Sequence, residues 1–308
     1  MGHKSQVAMT DKKQITAVSD GLLIRAPAKI NLSLLIAGRR TDGFHEIETI
    51  MAKVDFFDEL LIQQNPKPGI ELICKGPCWA PQGEKNLVYK ACEMLLASCG
   101  SEANIKITLT KNIPAGAGLG SASSDATAAL IGINQFLRLS ADEDTLAELA
   151  AALGSDVPFF LGGPLALCTG KGEKIEKLDK KFNFPALLIL PDISVSTKKV
   201  YANYKHNSAL YEKLKAPING FVEKNRIDLA SKICTNMLET SCFSIYEGLA
   251  ALKAKTESFG IGPLCLSGSG SAMFYILDST EQKKAQEYRR KLEEKLGCKS
   301  IIVRNNRW

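Results

Sequence analysis

Apolar residues recur along the chain at two spacings, every second position and every third or fourth, and the switches between them outline its elements. Residues 22–37, Leu-Leu-Ile-Arg-Ala-Pro-Ala-Lys-Ile-Asn-Leu-Ser-Leu-Leu-Ile-Ala, read as a strand interrupted by Pro27. Proline cannot donate to a ladder, so it implies an edge or a bulge. Residues 46–62 read as further strand with an acidic break at 55–59, and 63–84, rich in proline and glycine, as loops. Asn86 to Cys99 sets Leu87, Ala91, Met94 and Leu95 on one helical face. Residues 105–110 alternate as a strand, and a helix is expected from about Ser123 to Leu137.

Ser140-Ala-Asp-Glu143 reads as a capping box for a helix with Leu146, Leu149, Ala150 and Leu153 on its apolar side, ended by Gly154. Strands are expected within 164–178 around Gly170-Lys171-Gly172, and a buried one over 186–190. Helices dominate 208–258, with Leu229, Ile233, Met237 and Leu238 as core positions at helical spacing. A glycine-serine element at 264–277 is followed by a charged helix over 280–297. The pattern divides the chain into a mobile extension at 1–20, a domain over 21–183 and a second over 184–308, with a junction near 180–185.

Between the strand at 105–110 and the next helix lie Pro114, Ala115, Gly116, Ala117, Gly118, Leu119, Gly120, Ser121, Ala122, Ser123 and Ser124. A strand, a glycine loop and a helix N-terminus together suit an anion, because converging backbone N–H groups meet the positive end of the helix. The stretch is neither a Walker A sequence nor a dinucleotide fingerprint, and by itself it also reads as a tight turn. Leu266-Ser-Gly-Ser-Gly-Ser271 is either a second anion loop or a tight hairpin. Spacing alone favours a solvated lysine at Lys29, although the irregularity at Pro27 can re-aim it and Asn31 toward a site. Phe44 and His45 leave an Asp-Gly turn, poised either to grip a planar ligand or to sit at a core edge and in solvent. Asp156 either caps backbone or holds a carboxylate at a cleft wall.

Composition narrows the function classes. The chain has 308 residues, 45% hydrophobic and 23% charged, as in globular proteins with a sizeable core. A net charge of +6 suits phosphorylated ligands but is too small for a nucleic-acid protein, and no aromatic-interleaved basic stripe occurs. The 9 cysteines include no Cys-x-x-Cys pair, and with 3 histidines zinc spacing is absent. Free thiols in a reducing cytoplasm are expected. No apolar run approaches the roughly 18 residues of a membrane span.

Three motifs in order, Pro27-Ala-Lys-Ile-Asn-Leu32, the loop at 114–124 and Leu266–Ser271, resemble the galactokinase, homoserine kinase, mevalonate kinase and phosphomevalonate kinase (GHMP) superfamily over about residues 22–305. Within it, Arg40-Thr-Asp-Gly-Phe-His-Glu46 and Leu153-Gly-Ser-Asp-Val-Pro-Phe159 point to the branch acting on a cytidine-diphosphate-bearing polyol. The resemblance implies an α+β, two-domain GHMP-kinase-like fold with ATP and substrate in the interdomain cleft. It implies ATP and Mg²⁺, and transfer of the γ-phosphoryl to the 2-hydroxyl of a methylerythritol carrying cytidine diphosphate, in non-mevalonate isoprenoid synthesis. A cytoplasmic monomer or weak homodimer without nucleic acid or membrane is the expected state.

By the same resemblance, Lys29 and Asp156 form the catalytic pair, and residues 114–124 with Asn86 bind the nucleotide. Asn31, Phe44, His45, Tyr201, Gly268, Ser269 and Gly270 fall to the substrate, with His45 reading cytosine and Tyr201 on the base's other side. Metal ligands are not identified. Phe44 stands where many relatives carry tyrosine, which keeps stacking but loses a hydroxyl. Ala115, Ala117, Ser121 and Ala122 replace methionine or glycine of some relatives, so a stiffer cradle is expected. A sibling kinase acting on homoserine, mevalonate or a sugar, and a silent binder on the kinase fold, are the rival readings.

Overall fold

A computed structural model describes residues 14–178, 184–224 and 234–305, without the side chains of 221, 222, 224 and 279. Most of the expected extension, residues 180–183 of the expected junction and the positions Leu229 and Ile233 lie outside the described residues. The elements are β1 (Ile15–Val18), β2 (Gly21–Arg39), β3 (His45–Gln64), β4 (Ile70–Lys75), α1 (Leu87–Ser98), β5 (Ile105–Thr110), α2 (Ser121–Leu137), α3 (Glu143–Leu153) and α4 (Val157–Leu161). They continue with β6 (Leu165–Gly170), β7 (Lys174–Lys177), β8 (Pro185–Leu190), α5 (Thr197–Asn203), α6 (Ser208–Lys224), β9 (Thr235–Asn236), α7 (Glu239–Ile245) and α8 (Glu247–Ser258). The hairpin β10 (Cys265–Leu266) and β11 (Met273–Ile276), then α9 (Ser279–Leu296) and β12 (Lys299–Arg304), complete it.

The spine is the long antiparallel hairpin β2–β3. One end of β3 pairs with β5 and the other with β6, so one strand serves two parts of an 8-stranded sheet. Helices α1 and α2 cover the first part, packing Val88, Ala91, Leu95, Leu130 and Ile133 on Ile24, Leu60, Ile62 and Ile107. Burying such a side chain contributes about 1.5–3 kcal/mol, which makes this face a rigid floor for the loop ahead of α2. A 4-stranded sheet, β10-β11-β8-β12, packs through Leu187, Ile189, Leu266 and Phe274 into a core shared with Ile30, Leu32 and Ile36 of β2. β9 returns to pair in parallel with β2, so the later half of the chain also builds the first sheet.

Several expectations need correction. The acidic stretch at 55–59 does not break β3. Pro27 faces Phe57 while Ala28 faces Val54, so Asp55 and Phe56 are looped out as a bulge opposite the proline and the strand continues. β4 lies in the region read as loops, because it is a partly exposed strand whose short alternation is hidden between prolines and glycines. Asp142 caps α3 by accepting from Thr145 N, whereas Ser140 sits at φ 59 outside the helix. Met237 and Leu238 are buried, but in the turn after β9 rather than on a helix. At 264–277 no correction is needed: of the alternatives read there, the hairpin forms, as β10–β11.

That hairpin packs on the glycine loop. Gly118 has φ +74, and a Cβ there would lie 2.0 Å from Ser267 O. Ser267 Oγ donates to Gly118 O (2.9 Å), and Ala272 N donates to Ala117 O (3.0 Å). Gly118→Ala combines a left-handed backbone with a backbone clash and is expected to cost at least about 2 kcal/mol. Chemical denaturation measures this; an unchanged midpoint would mean that the two loops do not need this close approach.

Candidate active site

The bulge at Pro27 decides where Lys29 points. Beyond the register shift the side chain turns into the protein, where it is 4% exposed, not solvated as spacing alone favours. Its Nζ donates to Asn31 Oδ1 (2.6 Å) and lies 3.5 Å from Asp156 Oδ2. Asn31 is held in turn by donating to Thr49 Oγ1 (2.8 Å), which donates to Ser33 O (2.5 Å). The lysine is therefore oriented from both sides. Lys29 N also donates to Leu119 O (2.9 Å), which couples β2 to the glycine loop.

Asp156 stands at the N-cap position of α4, yet its side chain caps nothing. The carboxylate, 36% exposed, is left to face the cleft and Lys29. The cleft measures about 1010 Å³. One wall is the glycine loop from Pro114 to Ser123, joined by Gly268 and Ser269 of the β10–β11 hairpin. Asn31, Phe44, His45 and Tyr201 also line it. Four cations face it (Lys29, Arg39, Lys171, Lys198) against two carboxylates (Asp42, Asp156), a balance that suits a polyanion.

The far wall is aromatic. The His45 ring lies 5.3 Å from Tyr201 at 39° and 5.7 Å from Tyr204 at 84°. Burial first, then the charges of Arg39 and His206, lowers the His45 pKa below the ordinary imidazole value. The ring is therefore neutral at pH 7, with one nitrogen to donate and one to accept. Burial, with Asp156 adding to it, raises the Tyr201 phenol, which stays protonated. Phe44 sits at the mouth, 54% exposed, with Lys171 Nζ 4.9 Å from its ring centroid.

Three expected residues fall outside the cleft. Asn86 caps α1: its Oδ1 accepts from Val88 N (2.9 Å) and its Nδ2 donates to Pro81 O (2.8 Å), so the amide is fully committed. Ser124 is buried inside α2, and Gly270 packs toward Leu266, Cys242 and Val195. Ser121 lines the cleft, but its hydroxyl donates to the buried Asp58 Oδ2 (2.9 Å).

That hydrogen bond belongs to a buried ionic cluster which sequence reasoning missed. Asp58 Oδ1 accepts from Asn112 N (2.6 Å) and Ile113 N (2.9 Å), at the start of the loop. Lys111 Nζ donates to Asp58, to Ser121 and to Asp125 Oδ2, the last at 2.6 Å, at the loop's far end. Both ends of the loop are thus tied to one point. Burial opposes the Lys111 charge, but Asp125 and Asp58 outweigh it and raise its pKa above the ordinary lysine value. Burial, then the neighbouring Asp58, pushes Asp125 well above the usual carboxylate range. The available signal was an aspartate at an inward position of an apolar strand and a lysine closing another.

Comparison with known proteins adds to this geometry. The GHMP kinases N terminal domain matches residues 86–163, and GHMP kinases C terminal matches residues 218–295. A 4-diphosphocytidyl-2-C-methyl-D-erythritol kinase of Bacillus cereus is 38% identical over 259 residues, covering 83% of this chain and 88% of its own. One of Bacillus anthracis is similar to the same extent, 38% over 259 residues, covering 83% and 88%. A crystal structure of 4-(cytidine 5'-diphospho)-2C-methyl-D-erythritol kinase matches with TM-score 0.74 at 28% identity, covering 92% of this chain and 99% of that one. Homoserine kinase from Cytophaga hutchinsonii, at 24% identity and TM-score 0.72 over 94% and 96%, shares the fold.

Removing Asp58 leaves two loop amides without their acceptor and Lys111 with Asp125 as its remaining carboxylate partner. Asp58→Ala is expected to lower stability by at least about 2 kcal/mol, the cost of leaving both amides without an acceptor. Urea unfolding reads it out, and a loss within about 1 kcal/mol, as for an exposed pair, would show that water replaces the carboxylate.

Proposed function

Because the chain belongs to the GHMP kinases and, within them, to the 4-diphosphocytidyl-2-C-methyl-D-erythritol kinase family, we propose that it transfers the γ-phosphoryl of ATP to the 2-hydroxyl of 4-diphosphocytidyl-2-C-methyl-D-erythritol. The products are the 2-phosphate and ADP, and the step belongs to non-mevalonate isoprenoid precursor synthesis. The observation that carries the reading within this chain is the Lys29–Asp156 pair, 3.5 Å apart, between a glycine loop on one side and the His45–Tyr201 wall on the other.

Asp156 accepts the proton of the 2-hydroxyl as the oxygen attacks. Phosphoryl transfer has a loose transition state, so placing that oxygen in line counts for more than its basicity. Lys29, 3.5 Å from the Asp156 carboxylate, offsets charge on the transferring group. Amides of the loop at 114–123 hold the phosphates of ATP. The cytosine lies against Tyr201 and bonds to neutral His45, while Phe44 closes the mouth. Arg39, Lys171 and Lys198 are placed to meet the diphosphate of the acceptor.

The nucleoside of ATP is assigned to a second groove of about 1060 Å³, lined by Cys74, Trp79, Pro81 and Tyr89 among others. Cys78 of this groove donates to Asn112 O (3.3 Å), next to the glycine loop, and Asn86 braces it through Pro81. Asn86 thus supports nucleotide binding by position. No group of three or more His, Cys, Asp or Glu among the described residues holds a metal alone. Ser123 on the glycine loop would hold Mg²⁺ together with phosphate oxygens, since this ion takes few protein ligands. Mg²⁺ would supply charge neutralisation there.

ADP release with the cytidine compound, mevalonate and homoserine as alternative acceptors tests the proposal. Turnover is expected with the cytidine compound alone; turnover with another acceptor would remove the assigned roles of His45 and Tyr201. For the base-reading role, His45→Ala should raise the acceptor KM about tenfold or more, as for loss of a buried hydrogen-bond partner, and the ATP KM much less. In the wild type the acceptor KM should stay flat from about pH 8 to 6.5 and climb only below, because lowering of the His45 pKa extends the neutral range downward. Equal effects on both substrates would contradict it.

A further inference from the structure

Lys53 is buried, 2% exposed, and among the described residues it has no ion-pair partner. Its Nζ donates to Phe160 O (2.9 Å) and Gly162 O (2.7 Å) and lies 5.7 and 6.0 Å from the ring centroids of Phe159 and Phe160. Burying an amine without a counter-charge is costly, and an apolar residue of similar length would fill the site more cheaply. What the amine adds is two bonds to carbonyls at the C-terminal end of α4, where helical partners run out.

That end matters because of the other. α4 has 5 residues and carries Asp156 at its N-cap position. A helix this short does not hold itself. Across the β2–β3 ladder Lys53 pairs directly with Lys29. Residues opposite each other share a face of the sheet, so one hairpin presents two buried lysines to one short helix. Lys29 meets Asp156 at the start and Lys53 meets Phe160 and Gly162 at the end. Thr127 Oγ1 donates to Val157 O (2.9 Å), and Phe159 and Phe160 pack on Met51, Ala166 and Cys168.

We propose that Lys53 is a positioning residue for phosphoryl transfer: it anchors the far end of α4 and so sets where the Asp156 carboxylate stands relative to Lys29 and the acceptor hydroxyl. The inference rests on the reading of Asp156 as the proton acceptor. Burial lowers the Lys53 pKa to about 7. The neutral amine retains two N–H groups, the number of carbonyls it serves, so the anchor holds in either protonation state.

The test compares Lys53→Met and Lys53→Gln with the wild type for kcat, both KM values and thermal midpoint. Methionine fills the apolar site without a donor, and glutamine keeps one. The expected result is a kcat loss of about tenfold or more in Lys53→Met, the scale of an ångström-level misplacement, with both KM values within about threefold. Lys53→Gln should recover part of kcat although it is the less stable of the two. Activity that follows stability, an unchanged kcat, or a loss confined to KM would overturn the proposal. If Lys53→Met does not fold, the kcat–KM split of Lys53→Gln decides. If neither folds, Lys53 is a structural requirement and the positioning role fails. Asp156→Ala is measured alongside: full turnover there would remove the premise, whereas its loss with normal Lys53→Met turnover would remove only this inference.

Discussion

A nearly buried ammonium and a half-open carboxylate, Lys29 and Asp156, stand 3.5 Å apart, and the rest of the fold keeps them there. They are far apart in sequence and sit on elements of different kinds. One follows a proline bulge in the long hairpin; the other precedes a single turn of helix after Gly154. Neither placement is a local preference of the chain. The bulge redirects β2 so that Lys29 enters the protein, and the Asn31–Thr49–Ser33 chain fixes its angle. Desolvating the ammonium opposes the arrangement, and the Asn31 amide, braced by Thr49, with a nearby carboxylate makes it tolerable.

The glycine loop obeys a related constraint. A glycine-rich segment is entropically free, and a free loop would bind phosphate weakly because ordering it costs free energy on each encounter. Here its two ends are tied to the Asp58–Lys111–Asp125 cluster, and its middle packs against the Ser267 backbone. The ordering is done during folding. Glycine at 118 and 120 is required by close approach, to Ser267 O on one side and to Phe160 and Lys29 on the other. The loop therefore touches Lys29 as well as the second hairpin, so the parts of the cleft floor are packed on one another.

How much of this was legible depends on the range of the cause. Local signals read well: α1, β5, α9 and the Gly154 stop follow from periodicity and capping. Pro27 announced a bulge, but which way Lys29 turns depends on the register opposite it, where Asp55 and Phe56 loop out. Asp58 read as a break because an aspartate in an apolar strand is normally excluded, and its partner lies 53 positions away in Lys111. Lys53 had no signal, since one lysine in a strand looks the same whether it meets water or two carbonyls. The glycine loop was found by composition. Ser124, however, is carried inside by α2, and Gly270 turns toward the core, distinctions that backbone path alone decides.

The most direct measurement is a double-mutant cycle on kcat with Lys29→Met, Asp156→Asn and both together. If the two side chains act as one unit, each single change removes most of the turnover, and the double variant loses little more than the worse single one, as coupled catalytic groups do. Losses that multiply would show two independent contributions and contradict the account of a paired base.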